Sequence, residues 1–114
     1  MFEKLNNANY TNTIKEGIDL QELSFAKLAE FSGETLYVDG FFFTVGDYGK
    51  QVVVVARTMV GGRPYKVNMP QRAVEQFEQI AADKEMLDAV LDGHMKIVNI
   101  AKLKKTTGYT LADC

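Results

Sequence analysis

Cysteine occurs once in this 114-residue chain, as Cys114, and histidine once, as His94. A single cysteine excludes an internal disulfide and a cysteine-rich zinc site. His94 stands next to Gly93, a helix-stop position, with no second histidine or cysteine to share a metal. That reads as a structural or surface residue, not a metal ligand. No apolar run approaches the roughly 20 residues that a membrane helix needs. The opening MFEKLNNANYTNTIKEG has no apolar segment of the secretory-signal kind. Internal repeats and low-complexity segments are also missing. The expectation is a cytosolic chain with no membrane contact, no metal and no cofactor.

Catalytic patterns are equally sparse. The carboxylates Glu75, Glu78, Asp83, Glu85, Asp88 and Asp92 fall on one helical stretch and read as a solvated face. Gly46-Asp47-Tyr48-Gly49-Lys50 lacks P-loop spacing and lies between two strands rather than before a helix, which excludes a phosphate loop of that type. Cys114 has no activating partner in the sequence. No enzymatic activity is expected.

What is present is enough for one domain. Hydrophobic residues make up 46% and charged residues 25%, so the chain can bury a core. The net charge of −2 conceals a sorting. Residues 1–33 carry three lysines against five acids, and residues 34–72 carry five cations against three acids. Residues 73–95 carry one lysine against six acids, and residues 96–114 four lysines against one acid. Predicted strands are therefore basic and the predicted helical region acidic. At a binding face the local field counts for more than the total.

Residues 35–69 organise the rest. Residues 35–45 are rich in aromatic and β-branched types, Asp47-Tyr48-Gly49 is a turn, and residues 50–60 form a second strand around four valines. Gly61-Gly62 signals a hairpin, and residues 63–69 form a third strand. Gly40, inside the first strand, marks a bulge or bend. Pro70 suits the first position of a helix. Residues 71–91 are helical by period, with a break and cap at Asp83, and Gly93 is a C-terminal stop. Residues 95–103 and 109–112 are two further strands around a turn at 104–108. Upstream, residues 1–13 are expected to be a mobile tail, and Ser24 is expected to cap a short helix carrying Phe25, Leu28 and Phe31.

The resulting order is β-β-β-α-β-β: a mainly β fold with one helical region. It is the order of the OB-fold, a five-stranded, partly open barrel with its helix between strands three and four. An SH3-like barrel or an open α+β sheet competes, but the long helical insert before the last hairpin favours the OB reading. Residues 1–33 are then a partly flexible N-terminal extension and residues 34–114 the OB domain.

The runs GFFFTVGDYGKQVVVV and YKVNMPQRAVEQFEQI, with a glycine before the fourth strand, resemble small OB-fold single-stranded DNA-binding proteins of bacteriophages and mobile elements of Gram-positive bacteria. The resemblance covers roughly residue 19 to the end. It implies a non-enzymatic protein that binds single-stranded DNA in replication or recombination inside a bacterial host, with replication or recombination proteins as further partners.

The residues fit that chemistry on their own terms. Single-strand binding needs cations for phosphates and flat rings for bases. Tyr37, Phe42, Tyr48, Tyr65 and Tyr109 lie on or beside predicted strands, interleaved with Arg57, Arg63, Lys66, Lys102, Lys104 and Lys105. In an OB-fold the groove runs over strands two and three, between the loops joining strands one–two and four–five. Tyr48 and Lys50 belong to the first loop, Lys104 and Lys105 to the second. Phe41 and Phe43 read as core, and any tyrosine can equally bury its ring and wet its hydroxyl. A protein-interaction module, docking a replication or host factor, is the alternative from another class, and RNA is an alternative ligand. The valines Val52 to Val55 leave one apolar row outside the barrel. That predicts a homodimer, unless residues 14–31 cover the row and leave a monomer.

Overall fold

The computed structural model describes residues 21, 23–47, 49–59 and 62–114. Tyr48, Gly61 and the tail expected over residues 1–13 lie outside the described residues. Six strands form one mixed sheet, curled into a half-barrel, with two helices. The strands are β1 (Phe25–Lys27), β2 (Leu36–Gly46), β3 (Gly49–Arg57), β4 (Tyr65–Asn68), β5 (Met95–Lys102) and β6 (Thr107–Asp113). A 3₁₀ turn (Leu28–Phe31) follows β1, and helices α1 (Ala73–Ala82) and α2 (Lys84–Leu91) lie between β4 and β5. The spatial order is β1-β4-β3-β2-β5-β6. Among the described residues no helix is long and apolar enough to cross a membrane.

Two bulges decide which side chains face the core. In β2 the register with β3 shifts between Val38 and Gly40, leaving Asp39 as the extra residue. A one-residue insertion reverses the alternation beyond it. Leu36 and Val38 point inward before the bulge, and Phe41 and Phe43 after it. In β5 the shift lies between Val98 and Ala101, and Asn99 has φ +55°. Asparagine tolerates this left-handed conformation better than most residues. Both Ile97 and Ile100 consequently reach the core.

The helices pack on the core of the half-barrel. Ala73, Phe77 and Ile80 recur at spacings of four and three and are the buried face of α1. Phe77 packs on Phe41 with ring centroids 4.9 Å apart. Each of these fully buried rings contributes about 1.5–3 kcal/mol through burial. Asp83 ends α1 and caps α2, its side chain accepting from the backbone N–H groups of Glu85 and Met86. The predicted helical region is thus two helices broken at the expected residue.

The main departure is upstream. Residues 25–27 are a strand, not the start of a helix, so the sheet has six strands rather than five. β1 runs parallel to β4, pairing Phe25 with Lys66 and Lys27 with Asn68. Alternation sends Ala26 inward and leaves Phe25 and Lys27 exposed. Leu28 and Phe31 of the 3₁₀ turn enter the same core as β2 and β5. Residues 25–31 are therefore part of the sheet and core.

Candidate nucleic-acid interface

The strand pair β1–β4 presents two faces. Ala26 and Val67 face the core. Phe25, Lys27, Lys66 and Asn68 take the alternate positions and face the other way. Phe25 is 60% exposed, and the Lys66 ammonium sits 4.1 Å from its ring centroid. This face leads into a cleft of about 560 Å³. One wall is Lys27, Leu28 and Ala29, the floor is Gln51 and Asn68, and the far wall is Lys105, Thr106 and Thr107. Two lysines and no carboxylate line it, in a chain of net charge −2.

The far wall is held in place. Arg72, just before α1, donates from Nη1 to Thr106 Oγ1 (2.7 Å) and from Nη2 to the Thr107 carbonyl. The same guanidinium lies over the Tyr109 ring at 4.9 Å, and the Tyr109 hydroxyl donates to Gln76 Oε1. Burial raises the Tyr109 pKa above its ordinary value, and the Arg72 charge opposes that shift. The tip of the β5–β6 hairpin is therefore tied to the start of α1. On the near side, Gln71 Nε2 donates to the Lys50 carbonyl at 3.2 Å.

The sequence-predicted residues separate into those that the structure gathers at the cleft and those that it uses elsewhere. Lys66 and Lys105 lie on the face and in the cleft. Lys102 and Lys104 are exposed beside the same hairpin tip. Lys50 reaches Glu78 at 3.4 Å and covers the Phe43 ring at 4.5 Å. Tyr65 is half-buried and packs on Phe31, centroids 5.8 Å apart. Tyr37 is half-buried on β2, between Arg57 and Lys96. Arg63 is exposed ahead of β4.

Two predicted residues are occupied in a way that the sequence did not reveal. Arg57 donates through Nε and Nη2 to the same oxygen of Asp39, at 2.7 and 2.6 Å. Asp39 is the bulge residue of β2, and its side chain is only 8% exposed. A carboxylate so placed requires a cation. Phe42 is 8% exposed and clusters with Val53, Val55 and Leu23, so its ring belongs to a packed cluster. The apolar outer row of β3 is likewise buried within the chain, which removes the reason for a dimer through that row.

Phe25, Lys27, Gln51 and Asn68 are the cleft-side residues that sequence reasoning missed. Phe25 and Lys27 were hidden because a three-residue strand is too short to display period-two alternation. Gln51 and Asn68 are polar positions on the outward face of strands that were read correctly, and that alternation was the available signal. Protein-family models, curated proteins and solved structures were all compared with the chain, and none matches it.

Proposed function

We propose that this chain binds single-stranded nucleic acid, with single-stranded DNA as its ligand, without catalysing a reaction and with little sequence preference. The observation that carries the reading is the line from Phe25 and Lys66 through Lys27 to Lys105. It joins an exposed ring to three cations along one face and a carboxylate-free cleft. A ring offers a π-face to any base, and ammonium groups take the backbone phosphates. Counted from β2, the chain supplies a three-strand meander, a helical insert and a hairpin, in the OB order. An OB groove is expected on the second and third strands beside the loop joining the fourth and fifth, and the lining of the cleft by Gln51, Asn68 and Lys105 to Thr107 supports that reading. The setting that fits the resemblance is phage or mobile-element replication or recombination in the cytoplasm of a bacterial host.

The test is a fluorescence anisotropy titration with labelled oligo-dT across a salt series, repeated with oligo-U and duplex DNA. Each phosphate contact on a single strand contributes about −0.7 to the slope of log affinity against log salt. The Lys27→Gln/Lys105→Gln double variant should therefore have a slope shallower by about 1.4. Phe25→Ala should weaken binding by about 1–3 kcal/mol. Tighter binding to oligo-U would reassign the ligand to RNA. Absence of salt-dependent binding to any of the three would remove the reading.

A further inference from the structure

A second cleft, of about 300 Å³, opens between the two helices and the base of the β5–β6 hairpin. Ile80, Met86, Val90, Met95 and Leu111 give it an apolar lining, with Asp113 at its edge and no lysine or arginine. Met86 is 47% exposed. Ala89 and Gln79 also line it. Helical spacing sets exposed Glu85 and Asp92 beside Ala89, and exposed Glu75 beside Gln79. Among the described residues, none of these four acids is in an ion pair. The groove is thus apolar inside and acidic at its rim.

The chain itself carries the complement. At the tip of the same hairpin, Lys102-Leu103-Lys104-Lys105 presents Leu103 at 55% exposure between exposed lysines. The tip has a fixed shape, because Leu103 N–H donates to the Thr106 carbonyl at 2.9 Å. Met95 at the groove and Leu103 at the tip are eight residues apart along β5, about 25 Å at the rise of an extended strand. A molecule therefore cannot seat its own tip in its own groove.

We propose that the hairpin tip of one copy docks in the helical groove of the next, with Leu103 as the anchor and its flanking lysines facing the acidic rim. The two surfaces differ and lie at opposite ends of one hairpin, so a single tip-in-groove contact is heterologous and leaves a free tip and a free groove at the ends of any chain of copies. One leucine in a groove of this size is a small interface, of the weak and transient class. It becomes effective when copies are held side by side at high local concentration. Lys105 stays at the nucleic-acid cleft, while Lys102 and Lys104 turn to the neighbouring copy.

Complementation in sedimentation velocity tests this. Wild type at low salt should show an average sedimentation coefficient that rises with concentration and falls back on adding salt. Leu103→Ser removes the anchor and Met86→Lys blocks the groove, and each variant alone should associate at least about tenfold more weakly. An equimolar mixture should form pairs and no larger species, because one variant supplies a sound groove and the other a sound tip. Both positions are exposed, so thermal melting by circular dichroism should match wild type. The charge pair Lys104→Glu with Asp113→Lys should recover association that Lys104→Glu alone loses. A wild type that stays monomeric at sub-millimolar concentration overturns the proposal. So does association that survives Leu103→Ser, or a mixture that behaves like its separate components.

Discussion

Asp39→Ala isolates the ion pair that holds Arg57 on Asp39 rather than leaving it free at the candidate nucleic-acid face. The Asp39 side chain is 8% exposed and that of Arg57 22%. Breaking a fully buried pair by removing one partner costs about 3–5 kcal/mol, whereas an exposed pair is worth about 0–1 kcal/mol. Arg57 keeps partial access to water, so its stranded guanidinium is partly rehydrated. The expected loss is about 2–3 kcal/mol, between those limits. For a chain of this size that lowers the melting temperature by about 8–12 °C. Urea unfolding followed by circular dichroism measures the loss, and an unchanged m-value would show that the denatured state is not the source. Arg57→Gln should cost a similar amount, since it leaves the buried carboxylate without its cation. In a double-mutant cycle the two losses should fall well short of additive. Oligo-dT affinity and its salt slope should be unchanged in Arg57→Gln. A stable Arg57→Gln variant whose slope becomes shallower by about 0.7 would refute the reasoning, because it would place Arg57 on phosphate rather than on Asp39.

Phe42→Ala should destabilise the fold by about 3 kcal/mol, the low end for a buried phenylalanine, and leave oligo-dT affinity intact, as melting and anisotropy measured on the same sample will show. Asp83→Ala should cost about 1 kcal/mol by removing the α2 cap, read from urea unfolding, and Asp83→Asn should retain most of it. Tyr109 tests a pH effect. Its raised folded-state pKa means that above about pH 10 the unfolded chain ionises first. The folded state then holds more protons, and stability falls as pH rises. Tyr109→Phe should flatten that decline while costing about 1 kcal/mol at neutral pH through the lost hydrogen bond to Gln76.

The sequence by itself determined the order of elements from β2 onward. Long runs with strong periodicity carry their own signal: the valines of β3, the turn at Asp47, the helical stripe of Phe77 and Ile80, the break at Asp83. Gly40 announced the β2 bulge because a glycine inside a strand has few other uses. The sequence also determined the charge sorting, basic on strands and acidic on helices. Only the tertiary structure decided the rest. Three residues, Phe25 to Lys27, became a strand because the edge of β4 offered them a partner, a fact that local propensity does not encode. Which cations remain at the surface was equally non-local. Arg57 faces Asp39 because a bulge eighteen residues earlier in the chain turns that carboxylate toward it. Lys105 meets Lys27 because Arg72 ties the hairpin tip down beside β1. A sequence records which charges exist, but pairing depends on distances between distant segments, and those are set when the sheet curls.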